Sequence, residues 1–420
     1  MGVARGRELF REDRLIWWLL LVAVLLRAAA IADIGVAFDR LIDAQRYVES
    51  ARIFAASGAI SFAGTAHSAY QMPGFAILLA PFFLLPAGLF TQMLLVKIAL
   101  LAVSVASIYV LYLIGARIGG TRVGLVAAAL LTFSLPHIYA GNLTLSENPF
   151  MLGLLLTTLW TIRLADSPGW KPFAVLLAAF VVTVYLKQAV LGFLLPALVY
   201  LLVRRYPRAL LLKQVCVAIA VALLVLAPWW VRNYRVFATF VPFTSFDGAP
   251  FYEGTFQRFQ PYGNGAYDGM EGVVDPIRGS EIDRSRTLVA VGRERIAARW
   301  AADPIGLVVT YAVMKPAAAW LIPFYWDAFF GIDGYWVLRI HAALSALGLA
   351  LLAWYSIRSR SRAEFLLLLL NVLVISAGSA YYLGLSRCVY PYVPMLYVAV
   401  GIGAVRLADS LSLRPARRSE

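Results

Sequence analysis

Three histidines and two cysteines are all that this chain of 420 residues offers for soft-metal or thiol chemistry. His67, His137 and His341 are scattered, and no His/Cys pair stands at the spacing of a zinc site. Cys216 and Cys388 fall near opposite ends of two apolar blocks, so a bilayer would separate them and a disulfide is excluded on distance. There is no Walker loop and no strand-borne Gly-x-Gly-x-x-Gly, which removes nucleotide hydrolysis and dinucleotide redox work from consideration. Charge is scarce as well. Charged residues make up 14% of the chain and hydrophobic ones 61%, where a soluble domain has roughly 25% and 45–50%. A water-soluble chain of this length does not have that composition. Internal repeats, low-complexity tracts and strand-like alternation are missing too.

What is present comes in apolar blocks. The clearest are Leu15–Ala32, Val96–Ala116, Val123–Ala140, Pro149–Trp160, Phe173–Leu186, Val190–Val203, Val215–Val231, Val337–Ile357, Phe365–Leu383 and Val389–Val405. Most approach the ~20 residues that a helix needs to cross hydrocarbon. Lipid leaves no partner for an open backbone, so the blocks are expected to be helices. The fold class is therefore an all-α polytopic membrane protein of about 10–12 spans. The basic N-terminal stretch and Ala28-Ala29-Ala30 resemble a signal peptide in outline, but the run is long enough to span, and Glu8, Glu12 and Asp13 dilute its basic flank. An uncleaved first span is the better reading.

The net charge of +14 invites a nucleic-acid partner. Its distribution argues against one. Arg5, Arg7, Arg11 and Arg14 precede the first block. Arg117, Arg122, Arg163, Lys171, Arg204, Arg205, Arg208, Lys213, Arg358, Arg360 and Arg362 fill short connections, and Arg406, Arg414, Arg417 and Arg418 close the chain. Basic short loops mark the cytoplasmic side. With the N-terminus inside and ten crossings, they all fall there, leaving 406–420 as a cytoplasmic basic tail. The chain then reads as one transmembrane domain, 1–420, in a plasma membrane of bacterial type.

Two long segments lie on the other side. The first outer loop, 33–91, contains a helix-like stretch, Leu41–Ser57, with Ala44, Tyr47, Ala51 and Phe54 on one face and Gly58 as its stop. Phe75–Leu85 is too short to span comfortably and is expected to lie in the interface. The large outer loop, 232–335, is polar and glycine-rich from Phe246 to Gly279. It then becomes an amphipathic helix with Ile282, Val289, Ile296 and Trp300 on one face. Its nine basic and nine acidic residues between Arg232 and Asp303 balance. Ile305–Phe324 is apolar but interrupted by Lys315-Pro316 and Pro323, which favours a surface or re-entrant placement.

Chemistry on the outer side has few candidates. Asp33, Asp39 and Asp43 follow the first span. Asp43 stands out because it opens a helix, where the macrodipole favours its ionised form, with Tyr47 one turn later on the same face. Such a carboxylate suits a general base. In the short loop Asn142–Pro149, Ser146 and Pro149 read as a helix start. Glu147 does not, because it is an acid pressed against the bilayer. Lys187, Arg232, Arg258 and Arg387 are basic residues near the outer face. Each is a topology anchor or a phosphate holder. A weak divalent-cation site formed by Asp43 and Glu147 stays open.

These residues resemble the GT-C superfamily of glycosyltransferases, in particular the protein O-mannosyltransferase and aminoarabinose-transferase type (families 39 and 83). Asp43-Ala44-Gln45-Arg46-Tyr47 is similar to its Asp-x-x-x-Tyr element. Gly58 followed by Met72-Pro73-Gly74-Phe75 is similar to its Pro-Gly-aromatic segment, and Leu145–Phe150 to its second acidic motif. Pro228-Trp229-Trp230-Val231-Arg232-Asn233-Tyr234, with Phe240-Val241-Pro242 and Gly254 after it, resembles a segment of bacterial members. Arg387–Pro394 resembles the family's closing Arg-x-x-Tyr-x-x-Pro. The likeness runs from about Leu15 to Gly403. It implies an inverting displacement outside the cytoplasm, with a sugar on a polyprenyl-phosphate carrier as donor and a lipid, glycan or protein as acceptor. Carried over, Asp43 is the base, Glu147 a second acid, Tyr47 a substrate contact, and Arg232, Arg387, Lys187 or Arg258 hold the donor phosphate. Two departures stand out: Glu147 where relatives often have Asp, and Gln71-Met72 where some have a Glu-Lys pair. Beside this enzyme reading stands a non-catalytic binder of lipid-linked sugar, or a transporter or flippase.

Overall fold

The computed structural model describes residues 2–36, 41–62, 67–256, 280–326, 328 and 330–412, with the backbone alone for 2–13. Every regular element among them is a helix. In order these are α1 (Gly2–Ile34), α2 (Ile42–Ser57), α3 (Gly74–Phe83), α4 (Leu89–Gly119), α5 (Thr121–Phe133), α6 (Leu135–Asn142), α7 (Glu147–Asp166), α8 (Trp170–Leu186), α9 (Gln188–Val203), α10 (Arg208–Phe237) and α11 (Gly248–Gly254). After them come α12 (Glu281–Ala302), α13 (Pro304–Leu321), α14 (Gly334–Arg358), α15 (Arg362–Tyr381) and α16 (Ser386–Ser412).

By length and composition α1, α4, α10, α13, α14, α15 and α16 are able to cross a membrane. Counted together as one bent span, α5 and α6 bring the number to eight among the described residues, and α3, α8 and α9 are shorter apolar helices. The core gathers where α4, α5, α7 and α16 pack together, with α1 and α14 against them.

Three details differ from the sequence expectation. The block Val123–Ala140 is not one straight span but bends by 61° at Ser134, because Pro136 starts α6 and cannot donate to the turn behind it. Lys315-Pro316 does not break α13. A π-turn at Thr310–Met314 takes up the irregularity, and by length and composition α13 qualifies as a span where a surface or re-entrant placement was expected. On α12 the buried stripe is Ile282, Leu288 and Gly292, whereas Trp300 is exposed. Gly292 decides this, since a Cβ there would meet the Phe251 ring of α11 at 2.8 Å.

The structure also reveals three buried cations inside the helical body. Arg27 donates to Ser104 Oγ at 2.7 Å and to the carbonyls of Leu131 (3.4 Å) and Thr132 (3.5 Å), at the C-terminus of α5. Lys97 donates to the carbonyl of Asn142 at 2.6 Å, the last residue of α6. Lys315 donates to the carbonyls of Ala380 (3.0 Å) and Tyr382 (2.8 Å), at the end of α15. Helix C-termini carry unpaired carbonyls and a partial negative charge, so each cation gains backbone acceptors there. A broken helix is kept inside the bundle in this way.

Two short contacts set the framework of the site. Gly58 ends α2 with φ 71°, donating its N–H to Phe54 O at 2.8 Å, which turns the chain back over the bundle. Gly74 opens α3 against α8, where a Cβ would stand 2.4 Å from Tyr185 O. Gly74→Ala is therefore expected to push α3 from α8 and to cost of order 1–3 kcal/mol, read as a lower unfolding temperature in detergent. An unchanged temperature would mean that the two helices do not touch this closely. At the far end of the bundle Arg117 and Arg204 converge on Asp166, and Arg204 also reaches Glu364.

Candidate active site

Four breaks in the helical pattern bring four charged groups together. Asp43 is in the first turn of α2, after Leu41, which offers no side-chain cap. Glu147 is the first residue of α7. Lys187 is the extended residue between α8 and α9. Arg387 is the second residue of α16. The two acids thus stand where helix N-terminal amides favour a carboxylate.

The guanidinium of Arg387 joins them. Its Nε donates to Glu147 Oε1 at 2.6 Å and its Nη1 to Asp43 Oδ2 at 2.6 Å. Lys187 Nζ donates to the same Glu147 oxygen at 2.9 Å. Side-chain exposure rises outward, from 1% for Glu147 and 17% for Arg387 to 29% for Lys187 and 35% for Asp43. Asp43 and Lys187 are therefore the accessible members, and Glu147 is the buried anchor. Its second oxygen, Oε2, is buried without a hydrogen bond. Ser146 does not cap α7. Its hydroxyl lies 3.2 Å from the Tyr47 hydroxyl, tying α2 to the start of α7. The Tyr47 ring packs edge-on against Phe62 and Phe75.

The other candidates lie elsewhere. Arg232 is not brought to the cluster. It donates to the carbonyls of Ser68 (2.9 Å) and Ile60 (2.8 Å) and lies over the Trp229 ring, so it clamps the loop after α2 onto α10. Asp33 accepts from the N–H of Phe330 at 3.0 Å. Arg258 and Asp39 lie outside the described residues, as does the basic stretch from 413 to 420.

Sequence reasoning missed Glu253. The composition of Phe246–Gly279 suggests a polar loop, yet the stretch contains α11, seated by two glycines. A Cβ on Gly248 would stand 2.2 Å from Ser285 O, and one on Gly254 would stand 1.9 Å from Tyr382 O. Helix α11 presents Glu253 within electrostatic reach of Asp43. Burial, and then the Asp43 charge, push the Glu253 carboxyl up to about 7. Burial also raises Asp247, against a hydrogen bond from Gln188 at 3.2 Å. No periodic signal marks either acid in the sequence.

The sign of the Glu253 effect follows from linkage. The folded state binds this proton more tightly than the unfolded chain. Its contribution to stability is thus complete below the usual glutamate range and is lost as pH rises through about 7. Glu253→Gln is expected to flatten the fall in unfolding temperature between about pH 4.5 and 7. Parallel curves for variant and wild type across that window would refute the assignment.

A divalent cation does not fit Asp43 and Glu147 as they stand, because the Arg387 guanidinium bonds to both. No group of three or more His, Cys, Asp or Glu able to hold a metal occurs among the described residues.

Comparison with known proteins agrees with this architecture. Residues 71–231 match the family described as dolichyl-phosphate-mannose-protein mannosyltransferase. That segment holds Gly74, Glu147 and Lys187 but neither Asp43 nor Arg387. The fold is similar to that of the oligosaccharyltransferase of Archaeoglobus fulgidus, with a TM-score of 0.57 at 11% identity over 96% of this chain and 52% of that one. This chain therefore spans about half the length of that enzyme. The same enzyme in complex with zinc and sulfate gives a TM-score of 0.52 at 14% identity, covering 94% of this chain and 49% of that one. The structure of ArnT from Cupriavidus metallidurans bound to undecaprenyl phosphate is 14% identical over 96% of this chain and 81% of that one, with a TM-score of 0.44. No curated protein sequence matches. The resemblance to GT-C glycosyltransferases and the expected all-helical membrane fold are both borne out.

Proposed function

We propose that this protein is an inverting glycosyltransferase that moves a sugar from a polyprenyl-phosphate carrier to a lipid, glycan or protein acceptor on the outer face of the membrane. The convergence of Asp43, Glu147, Lys187 and Arg387 carries this reading. A base beside fixed cations is what a displacement with a phosphate leaving group requires. The family match over 71–231 supports the same class of donor.

In this mechanism the acceptor hydroxyl or amine attacks the anomeric carbon and the exposed Asp43 carboxylate takes its proton. The bond from that carbon to the carrier oxygen breaks, and the polyprenyl phosphate leaves with the electron pair. Lys187, the more open cation, meets the growing negative charge, and Arg387 adds to the local positive potential. Glu147 anchors both cations from beneath. Tyr47, buried against Phe62 and Phe75, fixes the start of α7 through Ser146 and supports the site from behind rather than as the substrate contact expected. Arg232 acts indirectly here, by holding the loop between α2 and α3.

The proposal places the N-terminus in the cytoplasm, with the cluster outside a bacterial plasma membrane. The basic short connections support that orientation. Its test is transfer of label from a panel of polyprenyl-phosphate sugars to mixed acceptors by the purified protein in liposomes. Release of free carrier phosphate together with a labelled acceptor is the expected result. Carrier binding with no turnover in any combination would replace the enzyme by a lipid-linked-sugar binder.

A further inference from the structure

We infer that the Arg387 guanidinium takes the place of a divalent cation between Asp43 and Glu147, so that sugar transfer by this chain is independent of metal. The second half of that statement rests on the proposed function, whereas the first half does not.

The geometry is that of a bridge. Arg387 Nε and Nη1 reach one carboxylate oxygen each, both at 2.6 Å, on helices that begin 105 residues apart in the chain. A planar guanidinium holds its donors in a fixed fork, so one side chain sets the spacing of the two acids. A metal shared by those oxygens would need to stand about 2.0–2.2 Å from each, within the space that the guanidinium now fills.

Charge argues the same way. Two carboxylates, Asp43 and Glu147, face two cations: Arg387 pairs with both acids and Lys187 with Glu147. The cluster is balanced as it stands. A divalent ion added to it would meet two fixed positive charges at short range in a partly buried site, where screening is weak. The archaeal oligosaccharyltransferase of similar fold has been solved with zinc and sulfate, so the same scaffold is compatible with a different solution.

An arginine differs from a metal in what it supplies. It orients Asp43 by one oxygen and leaves the other to the acceptor, and it brings a permanent charge that a chelator cannot remove.

The test reads metal directly. Purified wild type, freed of adventitious ions, is titrated with manganese(II) and followed by the loss of the free-ion electron paramagnetic resonance signal. The same is done for Arg387→Gln and Arg387→Gln/Asp43→Asn. Metal content is measured in parallel by mass spectrometry. The expectation is no stoichiometric site in wild type, one site in Arg387→Gln where the two carboxylates are released, and its loss again in the double variant. Transfer by wild type is expected to be unchanged by EDTA. A stoichiometric metal in wild type that Asp43→Asn loses would overturn the inference. So would transfer that EDTA abolishes and zinc or manganese restores. If Arg387→Gln does not fold, the wild-type titration and metal content decide alone. If no sugar is transferred under any condition, the functional proposal fails while the titration still judges the bridge.

Discussion

Asp43→Asn is expected to lower sugar transfer by about 10²–10⁴-fold, the usual contribution of a general base, while the protein inserts and unfolds as wild type does. The exchange is nearly isosteric. The amide oxygen of asparagine can still accept from Arg387 Nη1, so the bridge seen at 2.6 Å keeps its donor. Asp43 is also the most open of the four charged groups, with 35% of its side chain exposed, and it sits in the first turn of α2 rather than in the packed core. Loss of one solvent-facing negative charge there removes the proton acceptor and little else. Transfer at the wild-type rate by a correctly inserted Asp43→Asn would remove Asp43 as the base. Transfer and unfolding temperature must be measured on the same preparation to separate the two effects.

Glu147→Gln is expected to show the reverse balance, with a large loss of stability as well as of activity. Glu147 is the buried anchor, 1% exposed, and one of its oxygens receives both Arg387 Nε and Lys187 Nζ. Breaking a buried ion pair by removing one partner leaves the other charge uncompensated, at about 3–5 kcal/mol. Lys187 would be left without its acid, and Arg387 would keep only Asp43. A double-mutant cycle separates the pair from the rest: in Glu147→Gln/Arg387→Gln the buried charge is gone from both sides, so part of the lost stability should return. Additive losses in the cycle, measured by thermal unfolding in detergent, would mean that the two residues do not act as a unit. Activity should not return in the double variant, because the cation beside Asp43 is gone.

Much of this protein is decided locally. Twenty-residue apolar stretches in lipid have helices as their only stable form, so blocks such as Val96–Ala116 and Val337–Ile357 appear as the spans α4 and α14. Helix α2, its stop at Gly58 and its buried Ala44, Tyr47 and Ala51 follow from spacing and from the left-handed backbone that glycine permits. The individual acids and bases of the cluster could also be named, since charge at the end of an apolar block is rare enough to stand out. Their partnerships could not. The sequence has no record that Arg387 reaches back 344 residues to Asp43, or that Arg232 spends its donors on the backbone of Ile60 and Ser68. Arg27 and Lys97 vanish into apolar runs, and the sequence does not show the helix ends whose carbonyls they meet. Glu253 is legible neither by period nor by motif, because two glycines seat its helix against Ser285 and Tyr382, and that seating alone brings it toward Asp43. The sequence by itself determined the membrane class, the helices and the short list of chemical groups, because those follow from hydration of side chain and backbone. Only the tertiary structure decided which of those groups share a charge, because packing between distant segments sets the distance on which every ion pair depends.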